Sequence, residues 1–513
     1  MTKNIQKSKE TKIMFVYTLK LDANNKVKQQ LNRRFKMAQD IYRRTIQEIV
    51  KRAKKQKKDP RNKKIKQIYS QVHALKDQIA ELEVDLKNKP KKEQTQINAL
   101  TKPLKKQIKE LEAEAKPIFR QLDEDYDIVG KFTFTKYAND YRNARNYSSY
   151  IPSDVSIKLG ERAWNAYEKV KFNKGAKKVN KFAQVSSIEA IKDCAITIRN
   201  GILKMGTKDK KIEVPVIYKN DEYEKGVFEN KFKYNRILRK FENGEVQYYV
   251  QMIFDGIPPQ KLDNYIKGTV GIDVGLTKIA VSTPNEVKIL PLAPGLQNFD
   301  KEIRRLSRKL TRQRIANNPD NYNPDGTIKK GKKVWVNSKG YLETKHALAD
   351  LKRKQAEYRK LSHKELANAI IQMGDKFIIR QSNFEKLKER SKEDRKSATG
   401  KNLSKKRAGK TINSHAPAMF IQQLLYKAEF QNKETQVITN KDFNPYEYNH
   451  VSKETIENKA HLKSININGF EVQKNLYAAF LVSQYENMEN DNIIKSNFET
   501  FLRNQEFYIE NVA

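Results

Sequence analysis

The sequence predicts a multidomain α+β protein, in which an N-terminal β-barrel carries an inserted helical lobe and is followed by an α/β domain. Three patterns support this fold class. Apolar residues alternate strictly from Ile13 to Leu21, which is the period of a half-buried strand. Two apolar stripes with helical spacing lie between residues 62 and 118. The apolar run from Val270 to Ser282, interrupted by glycine, is typical of two buried strands.

The charge of the chain limits its function. Its 513 residues include 103 Lys and Arg against 61 Asp and Glu, a formal net charge of +42. A surplus of this size repels itself unless a polyanion neutralises it, so nucleic acid is the predicted partner. The length predicts roughly two to four domains. The hydrophobic content of 38% is too high for a wholly disordered chain.

Cysteine and histidine usage argues against disulfides and common metal sites. The single cysteine, Cys194, excludes an internal disulfide and any zinc ribbon built from CxxC pairs. The histidine pairs His346/His363 and His450/His461 lack the spacing of a helical metal site. No apolar run approaches the length of a membrane span, and the polar start lacks the apolar stretch of a signal peptide. These patterns predict a cytoplasmic, reducing location.

In the N-terminal half, we predict residues 1–21 as the first barrel strand and 22–175 as the helical lobe, with a helical hairpin at 62–118. The outer faces of these helices are charged, so we interpret the apolar seam as the contact between the two helices rather than as a direct nucleic-acid contact. Residues 51–66 contain ten basic residues and one acidic residue, typical of a solvated helix or arm. Within this stretch we predict nucleic-acid contacts by Lys51, Arg52, Lys54 and Lys55.

The rest of the barrel is predicted at residues 176–262. Asn200-Gly201 and Asn243-Gly244 each lie between extended segments, and both residue types tolerate positive φ, so each pair indicates a tight hairpin. Ile257-Pro258-Pro259 is typical of a linker. A second domain is therefore expected to follow.

That domain begins with a strand that carries one carboxylate. Asp273 lies near the end of the strand, and Gly275 follows in a turn that would let a nucleic-acid backbone approach. RNase H-like nucleases present their first metal-binding aspartate in this way. A strand with an incidental Asp before a turn is the alternative.

Further segments resemble, in unbroken order, the RuvC domain of transposon-encoded TnpB proteins, RNA-guided DNA endonucleases related to compact type V CRISPR effectors. The matching segments are 303–314, 316–319, 322–323, 325–327, 359–363, 406–411, 416–420 and 472–482. The resemblance implies an RNase H-like α/β RuvC domain over residues 263–490, followed by a C-terminal tail at 491–513. The N-terminal barrel with its helical insertion is similar in layout to the same family.

The catalytic positions depart from the family pattern. The resemblance implies an Asp, a Glu and an Asp around two divalent ions, but Arg380 stands at the Glu position and Asn475 at the last Asp position. The family carboxylates carry a formal charge of −3, whereas Asp273, Arg380 and Asn475 together carry none. A guanidinium about 4 Å from a divalent cation is unfavourable by roughly 8 kcal/mol, and it cannot deprotonate.

We therefore predict a degenerate RuvC pocket without catalytic residues, metal or Mg²⁺. The alternative is that a nearby carboxylate, Glu385 or Glu471, replaces the lost ones. We also considered that Arg380 presents a cation to a DNA strand in place of the metals. The family often carries a zinc ribbon in this region, whereas the predicted insertion at about 431–470 contains no cysteine.

Basic side chains that can hold nucleic acid remain in this half of the chain. Contacts between such side chains and phosphates give affinity and register without reading the base sequence. Trp164 and Trp335 fit core packing better than base stacking. The predicted nucleic-acid-binding residues of this half are Arg304, Arg305, Arg308, Lys309, Arg312, Arg314, Lys405, Lys406, Arg407 and Lys410.

Together these patterns predict an RNA-guided, sequence-specific DNA-binding protein that is not an enzyme and that represses transcription by blocking RNA polymerase at a promoter. Its predicted partners are a guide RNA and double-stranded target DNA with a short adjacent motif. We expect a monomer in the prokaryotic cytoplasm, associated with the nucleoid. The alternatives are an active RNA-guided endonuclease with relocated carboxylates, and a general basic RNA-binding protein.

Overall fold

In the computed structural model the chain forms two compact units, Met1–Pro258 and Pro259–Ala513, and the boundary between them along the chain falls within the predicted linker Ile257-Pro258-Pro259. Cys194 and the predicted contacts Lys405, Lys406 and Arg407 lie outside the described residues. The residues that the structure describes are 13–83, 90–172, 178–180, 182–191, 195–206, 210–259, 266–389, 408–456 and 462–512.

The first unit combines long helices with a sheet. Its helices are α1 (Asn25–Gln56), α2 (Arg61–Leu82), α3 (Lys91–Asp125), α4 (Lys131–Ala144), α5 (Ser153–Lys171) and α6 (Glu222–Phe228). Its strands are β1 (Met14–Leu21), β2 (Ser187–Glu189), β3 (Ile196–Arg199), β4 (Ile202–Met205), β5 (Ile212–Ile217), β6 (Phe232–Glu242) and β7 (Glu245–Asp255).

These strands form one antiparallel sheet in the order β2-β6-β7-β1-β5-β4-β3, with the alternating strand β1 at its centre. The sheet is curled: β6 and β3 lie far apart in the strand order, yet the Asn235 side chain on β6 donates a 3.0 Å hydrogen bond to the Ile196 carbonyl on β3. In the described part of the chain no backbone ladder joins β2 to β3. The sheet of the first unit is therefore curled, and its closure into the predicted barrel stays a prediction.

Both predicted hairpins are confirmed. β3 and β4 are joined through Asn200 and Gly201 with φ of 51° and 74°, and β6 and β7 through Asn243 and Gly244 with φ of 50° and 86°. These are left-handed conformations that Asn and Gly adopt at little cost, and they match the twist of the flanking strands.

The predicted helical hairpin is formed by α2 and α3, whose apolar seam buries Val72, Ile79 and Ile108. The ion pairs Lys64–Glu114 and Lys105–Glu83 connect opposite ends, so the helices run antiparallel. The packing role of the seam follows from this burial. α3 continues past the predicted end at residue 118 to Asp125, although it contains two prolines.

The second unit is built around a mixed sheet. Its strands are β8 (Thr269–Val274), β9 (Lys278–Ser282), β10 (Val287–Pro291), β11 (Lys376–Gln381), β12 (Glu434–Thr439), β13 (Ser464–Ile467) and β14 (Phe470–Gln473). Its helices are α7 (Gln297–Ala316), α8 (Lys339–Ile371), α9 (Phe384–Lys388), α10 (Gly409–His415), α11 (Pro417–Phe430), α12 (Lys474–Ser483) and α13 (Asp491–Val512).

The main sheet has the order β10-β9-β8-β11-β12, with β8, β11 and β12 parallel. Helix α12 packs so closely on β8 that a Cβ at Gly271 would come within 2.2 Å of the Ala479 carbonyl oxygen. None of the described helices is long and apolar enough to span a membrane. The chain is thus a mixed α+β protein of two units.

Two predicted segments of this unit contain secondary structure that the sequence patterns did not indicate. Residues 431–470 are not wholly an insertion, because β12 falls within them and Ile438 is buried in the main sheet against Ile378 and Val482. Residues 491–513 are not merely a tail, since α13 is amphipathic. Its buried face contributes Phe498 and Phe501 to an aromatic cluster with α12.

We expect acid to destabilise the second unit, because His363 is buried there in its neutral form. Its ring lies 5.9 Å from that of Phe420, between α8 and α11, and burial lowers its pKa from 6.5 to about 4. The unfolded chain therefore gains a proton below pH 6.5 that the folded chain excludes. The contribution of neutral His363 to the free energy of unfolding is fully present above pH 6.5. It falls as the pH drops toward 4, by about 1.4 kcal/mol per pH unit.

Urea unfolding of wild type and His363→Leu at neutral pH and at about pH 5 measures this effect. We expect the variant to lose about 2 kcal/mol less than wild type on acidification. His346→Leu, at an exposed position of the same helix, serves as the control and should keep the wild-type dependence. Equal losses in wild type and His363→Leu would contradict the prediction.

Candidate functional site

The parallel register of β8 and β11 places Asp273 directly beside Arg380. Both residues lie near the carboxyl ends of central strands, with β12 on the other side of β11. Their side chains project at the edge of the sheet where the loops after these strands begin. The sheet therefore brings together two of the three positions that the family resemblance assigns to the catalytic site.

Asp273 and Arg380 form a buried ion pair in which the guanidinium Nε donates to Asp273 Oδ1. Their side chains are only 3% and 4% exposed. The remaining Arg380 nitrogens are also engaged, since Nη1 donates to Asn440 Oδ1 at 2.6 Å and Nη2 lies 3.4 Å from Ser382 Oγ. The guanidinium is directed into the protein, so the suggestion that Arg380 presents a cation to DNA is corrected.

Tyr446 takes the second oxygen of the carboxylate. Its hydroxyl donates to Asp273 Oδ2 at 2.5 Å and lies 3.0 Å from Asn475 Oδ1, so it bridges the first and third family positions. The ring packs 4.9 Å from the Arg380 guanidinium carbon and 5.6 Å from Lys474 Nζ. Burial, the Asp273 charge and this hydrogen bond raise the pKa of Tyr446 far above its usual value. The hydroxyl therefore remains a protonated donor.

This arrangement does not fit a pair of divalent ions. Metal binding needs free carboxylate oxygens, but both Asp273 oxygens accept hydrogen bonds from side chains, one of which is permanently cationic. Among the described residues no cluster of three or more His, Cys, Asp or Glu side chains could hold a metal. An added cation would also meet Arg380 and the neighbouring Lys474 ammonium.

The two alternative carboxylates lie elsewhere. Glu385 is exposed on the short helix α9, and Glu471 is exposed on the β13–β14 hairpin, where it accepts a 2.5 Å hydrogen bond from Ser464. Neither carboxylate hydrogen-bonds to Asp273, Arg380 or Asn475 in the part of the chain that the structure describes.

The basic residues predicted on α7 form an exposed stripe. Arg304, Arg308 and Arg312 recur every four residues and therefore lie along one face of the helix. Arg305 and Lys309 are also exposed, although Arg305 is paired with Glu302. Arg314 instead packs over Trp335, with its guanidinium carbon 3.9 Å from the ring centroid.

The other predicted contacts are divided between the units. Lys410 is exposed on α10 and lies 3.2 Å from Asp300 of α7. In the first unit, Lys51, Lys54 and Lys55 are exposed and line an open cavity of about 750 Å³ near the end of α1.

Arg52 differs from these lysines, because its guanidinium is engaged within the protein by Glu48 and by the side chain and carbonyl of Asp127. Its packing over Phe134 and Tyr137 makes it a structural residue of the helical lobe. Nucleic-acid contact by the other basic residues remains a prediction.

Three further pocket residues, Tyr446, Asn440 and Ser382, were not predicted from the sequence. Asn440 follows β12, and carboxyl ends of parallel strands share one edge of a sheet, so recognition of β12 would have placed Asn440 near the pocket. Tyr446 reaches the pocket from a short 3₁₀ helix, Pro445–Glu447, which no repeating pattern marks.

No protein-family model and no curated protein matches this chain. Among solved structures it is similar to a Cas12f1–sgRNA–target DNA complex, with a TM-score of 0.44 and 13% identity over 92% of this chain and 99% of the other. It is also similar to a CRISPR-Cas12f ternary complex, with a TM-score of 0.26 and 12% identity over 66% and 72% of the two chains.

The ion pair predicts a large and specific loss of stability in Arg380→Met. The variant leaves Asp273 buried without a cation, which costs about 3–5 kcal/mol. Urea unfolding measures the loss. The double variant Asp273→Asn/Arg380→Met should recover a substantial part of it, because no buried charge remains.

Arg305→Met is the matched control, since its ion pair with Glu302 is exposed to solvent and is expected to contribute little to stability. Equal losses in Arg380→Met and Arg305→Met, or the absence of recovery in the double variant, would show that the buried pair does not stabilise the second unit.

Proposed function

We propose that this protein is an RNA-guided, sequence-specific DNA-binding protein with a degenerate, inactive RuvC-like pocket. A guide RNA supplies specificity by base pairing, and the protein reads only a short motif beside the target. Binding at a promoter then blocks RNA polymerase. The proposal places the protein in the prokaryotic cytoplasm, associated with the nucleoid and acting without Mg²⁺.

The single observation that supports an inactive pocket is that both carboxylate oxygens of Asp273 are already engaged by side chains. Its two oxygens accept from Arg380 and Tyr446, and Asn475 completes the cluster without adding charge. Two-metal hydrolysis of a phosphodiester requires carboxylates that hold both ions and neutralise their charge. Here the buried carboxylate is neutralised by a guanidinium instead, so the pocket supports sheet stability rather than metal-assisted hydrolysis.

The nucleic-acid part of the proposal is supported by charge and by motif order. The net charge of +42 favours a polyanionic partner, and the exposed stripe Arg304, Arg308 and Arg312 offers phosphate contacts. The motif order resembles that of RNA-guided TnpB proteins, whose RuvC domain is of the RNase H type. The mixed five-stranded sheet of the second unit is compatible with that fold.

Purification of the protein with its cellular RNA provides the first test. We expect one dominant RNA species with a variable end, together with binding of duplex DNA that matches this end and carries randomised flanks. Incubation of a matched plasmid with the complex and Mg²⁺ should give no cleavage above a control without protein.

Each alternative gives a different result in this experiment. Cleavage of the matched plasmid would overturn the inactive pocket and support an endonuclease with relocated carboxylates. Bulk ribosomal RNA without a matched DNA target would instead support a general RNA-binding protein. Reporter transcription in cells then tests repression, which should require a promoter that matches the guide.

Restored carboxylates provide a second test of the pocket, with Mn²⁺ binding by calorimetry as the readout. Arg380→Glu/Asn475→Asp returns the pocket to a formal charge of −3, and addition of Tyr446→Phe frees the second Asp273 oxygen. We expect no binding by wild type and stronger binding by the triple variant than by the double variant.

Arg380→Gln serves as the control, since it removes the cation without adding a carboxylate. Circular dichroism verifies that each variant is folded. Mn²⁺ binding by wild type that is lost in Asp273→Asn would contradict the inactive pocket.

A further inference from the structure

The connection between α7 and α8 contains a short basic segment, residues 329–336 (KKGKKVWV), which we name the basic finger. The base of this connection is closed by a 2.9 Å hydrogen bond from the Asn317 amide to Ser338 Oγ, and Ser338 in turn caps α8. The finger is therefore held between the ends of two packed helices.

Side-chain amides fix the backbone of the finger. The Asn318 side chain donates to the Val336 carbonyl at 2.9 Å and accepts from the Val336 N–H at 2.6 Å. The Asn321 side chain donates to the Val334 carbonyl at 2.8 Å. Asn318 is itself buried, so its two hydrogen bonds to Val336 are partly shielded from water and attach the finger to the body of the unit.

This attachment decides which side chains face outward. Successive side chains in an extended segment point to opposite sides, so Trp335 turns inward toward Arg314 and Tyr322, whereas Val334 and Val336 turn to solvent. The two valines are 84% and 62% exposed. Trp335 is half-buried and serves as the anchor of the finger rather than as a stacking platform for bases.

Four lysines precede the two valines in the sequence of the finger. Lys329, Lys330 and Lys332 are exposed, while the Lys333 ammonium lies 3.0 Å from the Lys330 carbonyl oxygen. Through the contact between Arg314 and Trp335, the finger is attached to the helix that carries the arginine stripe. The exposed groups of the finger thus include both lysine ammonium groups and valine methyls.

We propose that the basic finger binds the sugar–phosphate backbone of double-stranded DNA. The lysines suit phosphates, and the valine methyls suit deoxyribose, which lacks the 2′-hydroxyl that proteins use to recognise RNA. The amides of Asn318 and Asn321 are engaged by the finger itself and do not read base edges. The contact therefore adds affinity without sequence preference. This inference deepens the proposed function by naming a surface for its DNA partner.

The test compares two variants of the complete protein–RNA complex. Lys330→Gln/Lys332→Gln removes two cations from the finger, and Lys463→Gln/Lys495→Gln removes two exposed cations elsewhere in the same unit. Affinity for guide-matched and unmatched duplex DNA is measured over a range of salt concentrations. We expect the finger variant to weaken both affinities and to reduce the slope of log K against log salt by about 2, with the control unchanged.

A third variant, Val334→Ser/Val336→Ser, tests the apolar contact and should weaken DNA binding without altering the salt slope. Equal behaviour of the finger variant and the lysine control overturns the inference, as does loss of RNA content with unchanged DNA binding. If wild type shows no preference for matched DNA but the finger variant still reduces the salt slope, the result contradicts RNA-guided binding and supports DNA binding by the finger.

Discussion

The second unit depends on one buried ion pair, Asp273–Arg380, which joins neighbouring parallel strands at the edge of its main sheet. The pair also organises what surrounds it. The guanidinium donates to Asn440, which follows β12, and the carboxylate accepts from the Tyr446 hydroxyl. The same hydroxyl contacts Asn475 at the start of α12. Together, two opposite charges and their hydrogen-bond partners satisfy one another in a place that excludes water, where either charge alone would be costly.

Much of the fold follows from local patterns. Strict alternation predicts β1, Asn-Gly pairs predict two hairpins, and the heptad-like stripe predicts the α2–α3 seam, because each depends on a few adjacent residues. Motif order also indicated that the positions of Asp273 and Arg380 lie together, and the parallel register confirms this proximity.

Other features could not be predicted, because they depend on contacts between distant segments. Tyr446 lies 173 residues from Asp273 in sequence, and nothing around it repeats. The edge strand β12 contains mostly polar and exposed residues, so it was not separated from the insertion. Arg52 was interpreted from the surrounding cations, whereas its position beside Glu48 and Asp127 determines its role.

The adjacency of positions 273 and 380 has an evolutionary consequence. Replacement of either residue alone leaves a buried charge without its partner, and an acidic residue at position 380 would face Asp273 as a like charge. We therefore expect a single replacement at either position to lower folding stability. Such a cost would constrain both positions together, independently of any activity of the pocket.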